Sequence, residues 1–305
     1  MSLSKQLNTV AELASAAQEL LREGDTRIAQ MALNKTQAVV FDIQTGSEMK
    51  RKKAAKEVLM PPGMLPQIPD TRALISGIIA RAPLALTDEC SPEKGKPVEM
   101  RTEADGYQIK YVGCAVTEYD ITVFKGLLHL AKHVPVGTLV TVSRYQLWQH
   151  LGNATKPGPR AAERLDKALD WLSTITLSIT GDGLRLLGIR LFASTIKVKD
   201  GKFTYAVTPE ARELFAQGGW GNGPHCNAKS LVVRKLVDLA YSGMRGAFNY
   251  TTEGLATLCR YEGPGFKFRD KLRKATAELA EYGVRLVERE KNQWDLVRTD
   301  SKKSA

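Results

Sequence analysis

Apolar positions recur along this chain with two different periods, and the switches between them mark its elements. In residues 1 to about 32, Ala11, Leu13, Ala14, Ala17, Leu20 and Leu21 fall at helical spacing. Lys50-Arg51-Lys52-Lys53, then Pro61-Pro62-Gly63 and Pro66, interrupt regular structure and read as a linker. Residues 107–113 read as a strand, and Leu127, Leu128 and Ala131 give the apolar stripe of a helix over about 118–133. After the Pro135-Val136-Gly137 turn, the β-branched run 138–142 predicts a strand. Ser143 is placed to cap a short helix that ends at Gly152. Pro157-Gly158-Pro159 then leads into a longer helix from Arg160 to Leu172. Two β-rich runs, 175–180 and 184–192, flank Gly181-Asp182-Gly183, and Asp200-Gly201 precedes a third run at 202–207. Such turns between β-rich runs are hairpin signals.

The order then returns in shorter form. Residues 229–243 read as an amphipathic helix, 248–252 as a short strand and 253–259 as a short helix. Gly263-Pro264-Gly265 precedes a helix over 266–283, and 284–290 and 293–298 close a hairpin around Lys291-Asn292. Strand, helix, capped short helix, turn, longer helix and β-hairpin is the order of a winged helix, a variant of the helix-turn-helix. The expected class is therefore α+β: two tandem winged-helix domains with a partly disordered N-terminal helical extension. The boundaries are 1–67 for the extension, 68–218 for the first domain and 219–305 for the second. The Gly-rich stretch from Gly218 to Pro224 reads as the inter-domain joint, and residues 300–305 as a disordered tail.

Charge sharpens this picture. The 305-residue chain carries a formal net charge of +11. An excess of Lys and Arg favours a polyanionic partner, because neutralised phosphates release condensed counterions. The helix after Gly265 concentrates it. Phe268, Leu272, Ala275 and Leu279 form one buried stripe. Lys267, Arg269, Lys271, Arg273 and Lys274 occupy the rest, relieved by Asp270. A recognition helix needs this division, one stripe docked on its own domain and an outer face meeting the major groove. The alternative is a dense but merely solvated basic face. In the helix at 160–172, Leu165, Ala168, Leu169 and Leu172 form the core face. Lys156, Arg160 and Arg164 are candidates for phosphate contact there, diluted by Glu163, Asp166 and Asp170.

Other chemistry is thin. The sequence has no GxxxxGK[ST] phosphate loop, and Gly218–Gly223 lacks the Lys such a loop needs. His129 and His133 stand four apart on a helix, but the zinc-protease Glu after His129 is missing, so they read as ordinary histidines, as does His225-Cys226. No metal, cofactor or catalytic group is expected, and the chain reads as a non-enzyme. A nicking enzyme would need a Tyr nucleophile and clustered metal-binding histidines. Cys90, Cys114, Cys226 and Cys259 are scattered with no CxxC pair, which argues against a zinc ribbon or disulfide framework and fits a reducing cytoplasm. No stretch has the roughly 18 consecutive apolar residues of a membrane span.

Several segments together resemble the TrfA-type plasmid replication initiators and, more loosely, IncQ plasmid initiators. They are residues 37–43, 107–120, 133–152, the helix from Ala162 to Leu172, 235–248, and 257–283. The resemblance runs from about Gln37 to Val297. It implies two winged-helix domains that bind directly repeated iterons in double-stranded plasmid origin DNA. It further implies origin opening with host DnaA, recruitment of the DnaB helicase, and a homodimer in exchange with a DNA-binding monomer. The family also carries a Gln-x-x-Leu-Phe-like sliding-clamp peptide before the first winged helix. Here Gln37, Val40 and Phe41 match it, with Val40 in place of Leu. A short strand packed on the body is the other reading of that segment. A transcriptional regulator of the same architecture, bound to an operator, is the alternative function.

Overall fold

Ser76 shows how closely strand and helix follow one another in this chain. It ends β1 (Arg72–Ser76) and caps α1 (Gly77–Arg81), its hydroxyl accepting from the Ile79 amide at 3.4 Å. The computed structural model describes residues 63–299 apart from 105, 154, 182–183, 193–196, 200, 217–219, 243–246 and 291. The expected N-terminal helix, the basic run at 50–53, the tail, and Gln37, Val40 and Phe41 lie outside the described residues.

Next come β2 (Pro97–Ala104), β3 (Tyr107–Cys114), α2 (Glu118–Ala131), β4 (Val140–Ser143), α3 (Arg144–His150) and α4 (Pro159–Thr174). They are followed by β5 (Thr176–Gly181), β6 (Leu184–Arg190), β7 (Lys197–Lys199), β8 (Lys202–Tyr205) and α5 (Pro209–Ala216). The C-terminal half holds β9 (Trp220–Pro224), α6 (Leu231–Tyr241), β10 (Ala247–Thr251), α7 (Thr252–Leu258), α8 (Gly265–Glu281), β11 (Val284–Glu290) and β12 (Gln293–Arg298).

One topology occurs twice. A helix (α2 or α6) leads to a strand, a short helix, a long helix and finally two strands. Those strands form three-stranded antiparallel sheets of order β4-β8-β7 and β10-β12-β11, with the last strand in the middle each time. Local chemistry repeats too. Ser143 ends β4 and caps α3, accepting from Gln146 N at 3.1 Å while the Gln146 side chain accepts from Ser143 N at 2.8 Å. Thr251 ends β10 and caps α7, accepting from Gly254 N at 2.9 Å. Leu147 and Leu255, each four residues past its cap, are both fully buried.

Two expectations need correction. The hairpin at 175–192, read as the wing, does not pair with β4. β5 and β6 instead extend β2 and β3 into a four-stranded antiparallel sheet of order β2-β3-β5-β6. The reason lies in its inner face, where Ile109 and Tyr111 of β3 meet Ile179 and Leu177 of β5, all buried. The strands that do pair beside β4 are β8 and then β7. The Gly-rich joint also carries structure, since Trp220–Pro224 forms β9, antiparallel to β1. Gly223 suits this close packing, because a Cβ there would sit 2.9 Å from the Tyr241 ring and 3.0 Å from Ile75.

The two halves meet across a buried polar seam. α2 has 13 of its 14 residues buried, as befits a helix enclosed on every side. From it Lys125 reaches Asp238 of α6, with Nζ 2.6 and 2.8 Å from the two carboxylate oxygens. Lys235 of α6 lies 3.5 Å from Glu118 of α2 and donates to the Ala82 carbonyl at 2.8 Å. All four charged side chains are at most 7% exposed. Burial pushes the Glu118 carboxyl above its ordinary value, and the neighbouring Lys235 opposes that shift. Thr87 adds a hydrogen bond to the Cys259 carbonyl at 2.7 Å, and Arg260 pairs with Glu93. Ile75 of β1 and Ala80 of α1 pack into the core of the C-terminal half.

Candidate nucleic-acid interface

The long helix of the C-terminal half presents its charge as its sequence requires. Phe268, Leu272 and Leu279 are fully buried and Ala275 nearly so. They seat α8 on α6, α7 and the sheet, and the opposite side faces solvent. Lys267 and Lys274 are exposed there. Lys271 is also exposed, its ammonium 4.8 Å from the centre of the Tyr261 ring. Phe266, at the helix start, is 60% exposed. That puts an apolar ring beside the lysines, the kind of group that can meet a thymine methyl.

The two arginines of this face are engaged with the following hairpin. Arg273 donates to both Glu288 carboxylate oxygens, at 2.9 and 3.2 Å, and lies 3.7 Å from Asp270. Arg269 is half-buried, with Nη1 3.3 Å from Asn292 Oδ1 in the β11–β12 turn and its Nε buried without a hydrogen-bond partner. Asn292 holds that turn with φ of 73°, a left-handed conformation that Asn tolerates. Solvent screens an exposed ion pair, so Arg273 can exchange Glu288 for a phosphate at little cost.

In the N-terminal half, Lys156 is exposed before α4 and Arg160 is exposed in its first turn. Arg164 turns toward the protein. Its guanidinium stacks 3.6 Å from the Tyr119 ring and pairs with Glu89. Lys167 pairs with Glu163 at 2.8 Å, and Asp166 takes a bidentate pair from Arg144 at 2.9 and 2.7 Å. Most of the charge on α4 is therefore balanced within the protein.

The fold resembles domains 2 and 3 of RctB. Two crystal structures of those RctB domains, one a selenomethionine derivative, align with TM-scores of 0.52 and 0.50. Identity to RctB is 13%, and each alignment covers 73% of this chain and 97% of the RctB chain. No protein-family model and no curated protein matches the sequence. Among the described residues no helix is long and apolar enough to cross a membrane.

A second cluster went unread in the sequence. His129 of α2, His150 at the end of α3 and His225 just after β9 bring their rings together, with centroids 4.3, 5.0 and 5.3 Å apart. His133, read beside His129, is exposed and takes no part. The His129 ring is 3% exposed, and its Nε2 lies 3.3 Å from Asp70 Oδ1. His225 Nε2 lies 3.1 Å from the Asp70 carbonyl. Burial lowers all three imidazoles below their ordinary value, His150 to about 4. Hydrogen bonds from Lys132 and His129 hold the Asp70 carboxyl down at about 2. No signal linked these three positions in advance, because their meeting depends on the β1–β9 pairing and on where α3 packs.

Proposed function

We propose that this chain is a plasmid replication initiator of the TrfA type. It acts by binding iteron repeats in double-stranded origin DNA through two winged-helix units, and carries no reaction of its own. The observation that carries this reading is α8. A fully buried Phe268-Leu272-Leu279 stripe faces the core, and Lys267, Lys271, Lys274 and Phe266 face outward beside a hairpin. That is the arrangement a helix needs to enter a major groove while its hairpin approaches the adjacent backbone. The likeness to the RctB domains supports an initiator role at the level of fold. α8 makes the main base readout, and Lys156 and Arg160 ahead of and within α4 grip phosphates.

On this reading the partners are those of the resembled family. Host DnaA and the DnaB helicase act with the protein at the opened origin, the clamp engages the segment holding Gln37, Val40 and Phe41, and the protein exchanges between homodimer and monomer. Footprinting on DNA flanking the gene tests the proposal. Protection of several direct repeats is the expected result. Protection of one palindrome would make the protein an operator-binding regulator. A covalent Tyr adduct on single-stranded origin DNA would make it a nicking enzyme.

A further inference from the structure

Three of the four histidines in the chain converge on one point, although they come from three separate elements. Each offers one ring nitrogen, and these nitrogens all lie within 4.8 Å of one another. The surrounding bonds fix which nitrogens carry lone pairs. A carboxylate and a carbonyl can only accept, so the Asp70 side chain and the Asp70 main chain place the protons of neutral His129 and His225 on Nε2. Both rings are left with a lone pair on Nδ1. His129 Nδ1 and His150 Nε2 are buried with no hydrogen-bond partner among the described residues. Buried ring nitrogens left without a hydrogen-bond partner are rare and call for a missing one.

We infer that His129, His150 and His225 form a binding site for one divalent transition-metal ion, zinc by the chemistry of its donors. Three neutral imidazoles with one open position are a recurrent zinc set, and imidazole also suits copper and nickel. The outer shell is already in place. Ligating histidines typically donate their second N–H to a carboxylate or backbone carbonyl, and Asp70 supplies one of each. Tetrahedral zinc, with nitrogens at about 2.0–2.1 Å, holds its ligands about 3.3 Å apart, so small ring rotations close the site. A water-sized cavity lined by His150, His225 and Cys226 leaves room for a fourth ligand. The nearby Lys132 ammonium is occupied by Asp70 Oδ1 at 2.6 Å and the Ile68 carbonyl at 2.8 Å, and Lys125 by Asp238. The ion would tie the ends of α2 and α3 to the segment that enters α6. Its role is structural, and it is independent of the DNA-binding reading.

The test uses the full chain, stripped with a chelator and titrated with zinc chloride by calorimetry, with cobalt(II) absorbance reporting geometry. The expected result is one zinc per chain, bound at micromolar concentration or tighter, with the intense visible bands of tetrahedral cobalt. At a hundredfold excess over Kd the thermal midpoint rises by about 5–10 °C. His150→Ala and His225→Ala abolish binding, and both positions are only partly buried, so these variants keep the fold. His133→Ala binds as the parent does. Zinc binding that survives both variants, that disappears with His133→Ala, or that needs millimolar metal would overturn the proposal.

Discussion

The two long helices α4 and α8 share a docking stripe and little else. Leu165, Ala168 and Leu172 of α4 align with Leu272, Ala275 and Leu279 of α8, the same three residue types at the same spacing. On that alignment Arg160 stands against Lys267, Ala162 against Arg269, Arg164 against Lys271, Asp166 against Arg273 and Lys167 against Lys274. The inward faces are thus equivalent, and the outward faces have diverged. Both helices hold an acid at the Glu163/Asp270 position, but α4 carries Asp166 and Asp170 where α8 has Arg273 and Ala277, and its Arg164 lies on Tyr119. α8 keeps its lysines toward solvent. A fold fixes the inner stripe through packing, while the outer face is free to follow its ligand.

The largest expected effect concerns what the halves share. Asp238→Ala leaves the Lys125 ammonium buried without its partner, and breaking a buried pair this way costs about 3–5 kcal/mol. Urea unfolding followed by both Trp fluorescence and circular dichroism should show one coincident transition at lower denaturant. Two separate transitions in the parent protein would mean that the halves are not coupled through the seam.

Next comes the contrast itself. Replacing Lys267, Lys271 and Lys274 together by Ala should weaken binding to the cognate repeat by about a hundredfold at moderate salt. The matching α4 set, Arg160, Arg164 and Lys167, should cost about fivefold or less, since two of its three charges are already paired within the protein. Fluorescence anisotropy on labelled repeats decides between them, and equal losses would mean that the two helices contribute alike. Over a salt series the α8 variant should also lose about 2–3 units of slope in log K against log salt, near 0.9 per lost phosphate contact. The smallest effect is a gain. Asp166→Arg gives α4 the charge that α8 carries as Arg273, releases Arg144 from its pair, and should tighten binding by about threefold at low salt. Unchanged affinity would mean that α4 faces away from the duplex.

Most elements were legible in the sequence because their signals are local. Ser143 stands before an apolar helix, Pro159 opens α4, and the Phe268-to-Leu279 stripe keeps helical spacing over its whole length. Pairing was not legible. Nothing in residues 175–192 says that Ile179 will meet Ile109 and not β4, because strand partners are chosen by tertiary packing over long separations. Arg164 shows the same limit on a charged side chain. Its position on the helix could be read, but the Tyr119 ring and Glu89 that receive it come from elsewhere in the chain. The histidine trio needs three such long-range placements at once.

The ion pairs between α2 and α6 have a consequence for the shape of any target. If the protein binds DNA as proposed, a joint held by interior charges would resist flexing to suit variable DNA, and the molecule would act as a ruler with two fixed marks. Inserting about five base pairs, half a helical turn, between the stretches touched by its two ends would rotate one of them out of reach.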